Sequence, residues 1–331
     1  MKPMDTFNAM VLSKENNEPK LEVKQLTQND LPEGEVTIRV AYSSVNYKDG
    51  AVAVQQQFVE SYPLIPGIDL AGTVIDSSDD RYQAGDEVIV TSYQLGTGHS
   101  GGFSEVARVP AEWVVPLPEG LSLREAMVLG TAGFTAALSV QRLEDNDLEP
   151  GQGPVLVAGA TGGVGSLAVD MLAKRGYEVV ASTGKANEEA YLKAIGAKEI
   201  VHRDTIVDTE ETPLLAEKWA GAVDPVGGET LQYIFKTLKF GGSVATSGLA
   251  GGVGVSTTVI PAIARGINWL GINSVDYPMN KRLNVWERLS DELKPTNLDE
   301  ELVNEISLEE LPQVLEDILE GKVRGRTIVK L

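Results

Sequence analysis

A glycine-rich turn in the middle of the chain limits the fold more than any other feature of the sequence. The apolar run PVLVAGA at residues 154–160 passes into the turn ATGGVG at residues 160–165, and a helix-like segment follows at once. A buried strand that enters a helix through such a turn is typical of a β-α-β unit. These units place their strands side by side in a parallel sheet with helices on its faces. The sequence therefore predicts a doubly wound α/β domain around this turn.

Apolar runs and helix-like segments continue to alternate from residue 153 to about residue 273, which favours several such units in succession. The run INWLGINS at residues 267–274 is expected to be an edge strand of the sheet. An apolar edge can pair with its own copy about a two-fold axis, so we expect a homodimer.

The two ends of the chain differ from this middle part. Up to about residue 120, short runs rich in Val, Ile, Thr and Tyr are bounded by Gly, Pro and Asp, which indicates a mainly β region. Ser122 and Glu125 form a capping-box pattern that predicts a helix start, and Ser307 and Glu310 repeat it near the end. The last residues, 325–331, alternate like a strand, and we expect them to return to the β region.

The charge of the chain argues against two classes of partner. There are 28 Lys and Arg against 48 Asp and Glu, which gives a formal charge of −20. This charge repels nucleic-acid phosphates and anionic lipid surfaces, so we expect neither partner. No run approaches the roughly 18 to 20 apolar residues of a membrane helix, and the first residues lack the pattern of a secretory signal. We therefore expect a cytoplasmic protein.

The sequence contains no cysteine, which excludes disulfides, thiol nucleophiles and cysteine-ligated metal sites. The two histidines, His99 and His202, are the strong metal-binding side chains that remain. We expect no metal site, and the family resemblance described below implies the same.

The glycine turn has the context of a dinucleotide fingerprint. Gly162 allows the backbone to approach a pyrophosphate, and Gly165 allows close packing of the helix on the strand. The helix N-terminus supplies free N–H groups and a positive potential for the anion. Ala160 stands where the usual pattern has its first glycine.

The end of the next strand indicates which dinucleotide binds. Enzymes that use NAD usually have Asp or Glu there, about 20 residues on, to bind the ribose 2′-OH. Here the strand ends in Ser-Thr-Gly-Lys at residues 182–185, and Arg203 follows the next apolar run. Hydroxyl groups and basic side chains suit a 2′-phosphate, which a carboxylate would repel. The sequence therefore predicts NADPH as the cofactor.

Together with these residues, several motifs along nearly the whole chain resemble the zinc-free medium-chain dehydrogenases/reductases, in the branch of acryloyl-CoA reductases and quinone oxidoreductases. The motifs are SSVNYKD at 43–49, PLIPGIDLAGTV at 63–74, GTAGFTAAL at 130–138, GLAGG at 248–252 and GRTIVKL at 325–331. The resemblance implies an α/β protein with two domains. A GroES-like, mainly β catalytic domain would comprise residues 1–125 and 275–331, and a Rossmann NADP-binding domain would comprise residues 126–274.

The resemblance also implies site residues. Zinc-containing relatives usually have a catalytic cysteine at the position of Asn46 and a GHE segment at residues 67–69, so both metal-ligand positions are lost here. Tyr47 and Asn46 are implied as active-site residues, and Tyr47 also as a cofactor contact. The other implied cofactor contacts are Thr161, Gly162, Gly163, Val164, Gly165, Thr183, Gly184, Lys185, Arg203, Leu249, Ile263, Ser274 and Arg326.

Without a zinc ion, alcohol oxidation lacks its Lewis acid, whereas reduction of a polarised C=C bond stays feasible. The leading hypothesis is therefore an NADPH-dependent reductase that transfers hydride to the β-carbon of acryloyl-CoA or a similar short 2-enoyl thioester. The proton donor, Tyr47 or water, stays open. One alternative is an NADPH:quinone oxidoreductase, and another is a non-catalytic NADPH-binding structural protein.

Overall fold

The structure is a computed structural model that describes residues 6–16, 18–298 and 303–331. Contacts divide the described chain into two compact units. The first contains residues of Met1–Thr131, Val275–Ser290 and Leu298–Leu331, and the second contains Ala132–Ser274 and Asp291–Asn297. The domain boundaries given above remain a prediction.

The elements up to residue 144 are mostly short strands, in agreement with the predicted β region. They are β1 (Phe7–Glu15), β2 (Glu18–Leu26), β3 (Val36–Ser44), α1 (Tyr47–Ala53), β4 (Asp69–Ser77), β5 (Glu87–Thr91), β6 (Val106–Val109), β7 (Val114–Pro116) and α2 (Leu123–Glu144). The capping box before α2 is present, since the backbone N–H of Ser122 donates to Glu125 Oε2 at 2.9 Å.

The middle of the chain alternates strands and helices. These elements are β8 (Val155–Val157), α3 (Gly163–Lys174), β9 (Val179–Thr183), α4 (Glu189–Ala194), β10 (Glu199–His202), β11 (Trp219–Asp224), α5 (Gly228–Thr237), β12 (Leu238–Thr246), α6 (Ile260–Arg265) and β13 (Asn268–Gly271). The chain then continues through α7 (Met279–Ser290), β14 (Val303–Ile306), α8 (Leu311–Leu319) and β15 (Arg326–Lys330).

The main sheet of the first unit is built on β3. Among the described residues its strand order is β14-β15-β3-β4-β5-β7, and β6 also pairs with β3. The last strand, β15, lies antiparallel to β3 with Ile328 opposite Ser44, which confirms that the tail returns to the β region. Buried branched side chains of β3 and its neighbours, such as Val36, Ile38 and Val40, form the core of this sheet.

The sheet of the second unit is parallel throughout, with the order β10-β9-β8-β11-β12-β13 among the described residues. The order runs outward in both directions from β8 and β11, which confirms the predicted doubly wound sheet. β8 is a buried central strand, so its three residues are all apolar and inaccessible. β13 lies at the edge, as the sequence predicts.

In a parallel sheet, the loops at the carboxyl ends of the strands lie along one edge. The turn after β8 and the residues after β9 and β10 therefore come together there.

No helix among the described residues has both the length and the apolar composition that crossing a bilayer requires.

Candidate active site

The turn between β8 and α3 can be built only with glycine at two points. Gly159 has a φ of +55°, which side-chain-bearing residues rarely adopt. A Cβ on Gly165 would lie 2.3 Å from the carbonyl oxygen of Gly159. Gly165 therefore allows the first turn of α3 to pack directly against the turn that follows β8.

Gly162 has a different role, because space is open around it. A Cβ there would meet no atom closer than the carbonyl oxygen of Gly159 at 3.4 Å. The backbone is thus accessible at the start of α3, where the first N–H groups of a helix have no partner within the helix. Gly163 and Val164 are the first residues of α3, so their backbone N–H groups are free to donate at the start of the helix. This arrangement binds a pyrophosphate.

Two threonines join this turn to the end of β9. Thr161 and Thr183 are both buried, and their hydroxyl oxygens lie 3.3 Å apart. Thr183 Oγ1 also accepts a hydrogen bond from the backbone N–H of Lys185 at 3.0 Å. These contacts connect the turn after β8 to the loop after β9.

Gly184 and Arg203 lie in contact at the ends of β9 and β10. A Cβ on Gly184 would lie 2.6 Å from Arg203 Nε, so glycine leaves room for the guanidinium group. The Arg203 side chain is 74% exposed, and its Nε lies 3.8 Å from an oxygen of the equally exposed Asp204. Such an exposed ion pair is weak, so Arg203 can turn to a phosphate at little cost.

The second unit therefore fits an NADP(H) dinucleotide. The turn after β8 has the glycines and free N–H groups for a pyrophosphate, and β9 ends in Thr183, Gly184 and Lys185 with no carboxylate among them. When bound, this cofactor supplies hydride.

The remaining predicted contacts of the second unit are spread over its loops. Leu249 and Ile263 are 61% and 79% exposed, the former in the loop after β12 and the latter on α6. Ser274 lies after β13, and its hydroxyl accepts a hydrogen bond from Thr135 at 3.0 Å. Their contact with the cofactor remains a prediction.

Asn46 and Tyr47, in the first unit, lie where β3 passes into α1. Asn46 is the N-cap residue of α1, and Tyr47 is its first residue. The backbone N–H of Asn46 donates to Asp49 Oδ2 at 2.8 Å, which fixes the start of the helix. Asn46 is 8% exposed, whereas Tyr47 is 46% exposed and can reach a bound molecule.

A buried carboxylate, Asp69 at the start of β4, is the centre of the polar cluster below α1. Its Oδ2 accepts hydrogen bonds from Ser44 Oγ at 2.6 Å and from Asn46 Nδ2 at 2.7 Å. Thr131 contributes two more, from its backbone N–H to Oδ2 at 2.9 Å and from its hydroxyl to Oδ1 at 2.5 Å. These four hydrogen bonds compensate for the loss of hydration, since a buried carboxylate without partners would strongly destabilise the fold.

A kink in α2 allows Thr131 to take part. Gly130 has φ 51° and ψ −154°, a conformation that is essentially confined to glycine, and it interrupts the helix. A Cβ on Gly130 would lie 2.6 Å from both Asp69 Oδ2 and Ser44 Oγ. The interruption turns the N–H of Thr131 toward the carboxylate.

Arg326, the first residue of β15, lies against the other side of Asn46. It is 4% exposed, and its Nη1 donates to Asn46 Oδ1 at 3.4 Å and to the carbonyl oxygen of Val45 at 3.1 Å. Its Nε donates to the carbonyl oxygen of Val128 at 2.7 Å. These contacts tie the buried guanidinium to Asn46, and the direct cofactor contact expected of Arg326 remains a prediction.

Asp49 is a second buried carboxylate in this cluster. It has no exposed surface, and its two oxygens accept from the backbone N–H groups of Asn46 and Ile68 at 2.8 and 2.9 Å. Burial, and then the nearby charge of Asp69, raise the pKa of Asp49 to about 7, although hydrogen bonds from the backbone and from the Asn46 side chain oppose this rise.

Sequence reasoning missed four members of the cluster: Ser44, Asp49, Gly130 and Thr131. One signal was available, since Asn46 and Asp49 have the spacing of a capping box, the pattern used to place α2. For Asp69 the sequence favours a hydrogen-bonding residue at a turn or strand end over a catalytic acid, and the structure shows it accepting hydrogen bonds at the start of β4. In the described residues, no group of three or more His, Asp or Glu side chains is arranged to hold a metal ion.

Family models match both parts of the chain. The alcohol dehydrogenase GroES-like domain matches residues 32–119, and the zinc-binding dehydrogenase model matches residues 163–292. The first match, together with the parallel sheet, confirms the predicted combination of a GroES-like and a Rossmann-type fold.

Similar proteins of known name match over the full length. The chain is 54% identical over 326 residues to the Bacillus subtilis protein named putative quinone oxidoreductase YhfP, covering 98% of this chain and 99% of that protein. It is 51% identical over 326 residues to the acrylyl-CoA reductase AcuI of Ruegeria pomeroyi, covering 98% of both.

Solved structures are also similar to this chain over nearly its full length. The yhdH oxidoreductase of Salmonella enterica in complex with NADP gives a TM-score of 0.94 at 43% identity, over 98% of this chain and 99% of that one. Bacillus subtilis yhfP with NAD bound gives 0.95 at 53% identity, over the same shares of the two chains.

Proposed function

The chain belongs to the medium-chain dehydrogenase/reductase family, in the group that includes the acrylyl-CoA reductases, and on this premise we propose that it reduces the activated C=C bond of a short 2-enoyl-CoA thioester with NADPH. Hydride is added at the β-carbon and a proton at the α-carbon. The observation that carries this proposal is the full-length similarity to AcuI.

The choice of NADPH is supported by the end of β9. Thr183, Gly184 and Lys185 place hydroxyl and amino groups there, and Arg203 adds a guanidinium next to Gly184. A 2′-phosphate would gain charge-assisted hydrogen bonds at this position. The structure of yhfP was solved with NAD, so cofactor preference has to be measured on this chain.

A zinc-independent reaction is part of the proposal. Asn46 and Asp69 occupy two of the positions that the resemblance connects with the metal site of zinc-containing relatives, and they hydrogen-bond directly to each other at 2.7 Å. We propose Asn46 and Tyr47 as the catalytic residues of the first unit, because Tyr47 is exposed beside a firmly held Asn46.

Steady-state assays test the proposal with acryloyl-CoA, longer 2-enoyl-CoA thioesters and quinones as acceptors, each with NADPH and NADH. We expect kcat/KM to be highest for acryloyl-CoA or another short enoyl thioester with NADPH. Reduction of quinones with no turnover of enoyl thioesters would contradict it and favour the second candidate, a quinone oxidoreductase, which the similarity to YhfP supports.

The variant Lys185→Asp tests the cofactor assignment. We expect it to lower kcat/KM for NADPH by about 10-fold or more, because one charge-assisted contact is lost and a repulsion is gained. The kcat/KM for NADH should stay nearly unchanged. Lys193→Asp is the matched control, because Lys193 is an exposed lysine on α4 paired with Glu189. An equal loss for both cofactors in Lys185→Asp would contradict the assignment.

A homodimer and a cytoplasmic location complete the proposal. Backbone groups of β13 lie at the edge of the parallel sheet, and Val259, Ile263 and Trp269 near this edge are 68%, 79% and 57% exposed. A second copy would bury these apolar side chains. The cytoplasm supplies the reduced pyridine nucleotide that the reaction consumes.

A further inference from the structure

Addition of hydride to the β-carbon of an enoyl thioester creates a negative charge on the carbonyl oxygen. The C=C electron pair moves between the α-carbon and the carbonyl carbon, and the C=O pair moves onto oxygen to give an enolate. A hydrogen-bond donor held at this oxygen stabilises the transition state strongly. The inference below rests on the proposed function and concerns which group supplies that donor.

The orientation of the Asn46 amide follows from the chemistry of its two neighbours. An ionised Asp69 can only accept hydrogen bonds, so the Asn46 Nδ2 atom, 2.7 Å away, has to face it. Arg326 can only donate, so Asn46 Oδ1 has to face the guanidinium at 3.4 Å. A flipped amide would oppose acceptor to acceptor and donor to donor. Asp69 and Arg326 therefore allow one orientation.

This orientation uses one of the two hydrogens on Asn46 Nδ2. Among the described residues, Asp69 Oδ2 accepts a hydrogen bond of 2.7 Å from this atom. The Asn46 side chain also interacts with the carboxyl group of Asp49, and this is the smallest of the influences on the pKa of that group. The second hydrogen therefore has only this weaker interaction in the described part of the chain, at a side chain that is 8% exposed and directly precedes the exposed Tyr47. A nearly buried donor with a fixed direction needs little reorganisation when charge develops next to it.

Asp69 is itself held so that it cannot follow a rotation of Asn46. Ser44 and the two donors of Thr131 occupy its other acceptor positions. Gly130 brings Thr131 into place, since any side chain at that position would overlap Asp69 and Ser44. These hydrogen bonds connect β3, β4 and α2, which are far apart in the sequence.

We propose that Asn46 donates its second amide hydrogen to the carbonyl oxygen of the thioester, and that Asp69 and Arg326 are positioning residues that set the direction of this hydrogen. Asn46 keeps its proton throughout. The hydride from NADPH forms the new C–H bond at the β-carbon, the enolate carries the negative charge, and a proton from water then forms the C–H bond at the α-carbon. In this way a neutral amide would stabilise a negatively charged oxygen, which is the task that a metal ion performs as a Lewis acid in other enzymes.

Two substitutions at Asn46 test the donor. We expect Asn46→Ala and Asn46→Asp to lower kcat for acryloyl-CoA by about 10²- to 10³-fold, the usual effect of removing one such donor. The KM for acryloyl-CoA and the Kd for NADPH should change much less, because the interaction strengthens only as charge develops. An unchanged kcat in Asn46→Ala would overturn the proposal.

Asp69→Asn separates positioning from a simple effect of charge. Asparagine keeps an oxygen at the Oδ2 position, where it accepts from Asn46 and from the backbone N–H of Thr131, while the Thr131 hydroxyl can accept from the new amide group. We expect Asp69→Asn to retain kcat within about 10-fold, whereas Asp69→Leu should lose kcat as Asn46→Ala does. A loss in Asp69→Asn as large as in Asn46→Ala would overturn the positioning role.

Asp170→Asn is the control for removing a buried carboxylate elsewhere. Asp170 is 4% exposed on α3 and holds the backbone N–H groups of Thr296 and Asn297. We expect a lower Tm with an unchanged kcat. If Asp69→Leu does not fold, the Asn46 variants and Asp69→Asn still test the proposal.

The failure of the proposed function can be told apart from the failure of this inference. A wild-type chain that reduces quinones and no enoyl thioester would contradict the proposed function. A wild-type chain that reduces enoyl thioesters, with an equally active Asn46→Ala variant, would contradict only this inference.

Discussion

The buried carboxyl group of Asp49 gives a quantitative prediction for stability against pH. Its pKa is raised from 3.8 to about 7, first by burial and then by the charge of Asp69. A raised pKa means that the folded chain binds this proton more tightly than the unfolded chain does. The stabilisation is therefore fully present below about pH 4 and is lost as the pH rises through 7. A shift of this size corresponds to about 4 kcal/mol, with a slope of at most about 1.4 kcal/mol per pH unit.

Denaturant unfolding of the wild type and of Asp49→Asn at pH 5, 6, 7 and 8 measures this contribution. The rest of this acidic chain also titrates, but its effect is common to both proteins and cancels in their difference. The amide in Asp49→Asn faces one of the two backbone N–H groups that the carboxylate accepts from, which adds a constant cost of about 1–3 kcal/mol.

We expect the free energy of unfolding of Asp49→Asn to rise relative to that of the wild type by about 3 kcal/mol between pH 5 and pH 8. Asp79→Asn is the control, because the pKa of the exposed Asp79 is lowered to about 2 by its hydrogen bonds with Arg81, and it does not titrate in this range. A difference between wild type and Asp49→Asn that stays constant within about 0.5 kcal/mol would refute the reasoning.

Two further predictions concern packing and assembly. Gly130→Ala should lower the free energy of unfolding by about 3 kcal/mol or more and abolish turnover, because the strained backbone and the overlap with Asp69 and Ser44 add together. Chemical denaturation checks this against Gly176→Ala, where φ is +86° but no atom lies within 4 Å, and an equal loss in both would contradict the overlap. If the proposed dimer forms through β13, Trp269→Lys should give a monomer in sedimentation equilibrium, because it places like charges at the edge strand. Phe58→Lys, a 60% exposed aromatic of the first unit, should leave the mass unchanged, and a monomeric wild type would contradict the dimer.

The sequence predicts those parts of the protein that depend on neighbouring residues. The turn at residues 160–165 is recognisable because strand, glycines and helix follow each other directly, and the structure has them as β8, the turn and α3. The Ser122 capping box and the edge position of β13 are confirmed for the same reason, since a few adjacent residues determine each of them.

The polar cluster around Asp69 is not visible in this way. Its members come from β3, β4, the kink in α2 and β15, and Arg326 is 280 residues from Asn46. No periodicity connects residues at such separations. The conformation of Gly130 is equally hidden, because a glycine inside a helical pattern predicts only a weaker helix. The interruption becomes meaningful when the N–H of Thr131 is seen to donate to Asp69.

The energetic cost of this cluster is itself an argument for its role. Two buried carboxylates close together destabilise the fold at neutral pH, as the raised pKa of Asp49 indicates. A fold that required only stability could fill the same space with apolar side chains, which is often neutral or stabilising by about 1–4 kcal/mol. Asp69, with Arg326 opposite, supplies something that apolar residues cannot, which is a single orientation for the Asn46 amide. A replacement of the cluster by apolar residues should therefore give a chain with a larger free energy of unfolding and a lower kcat.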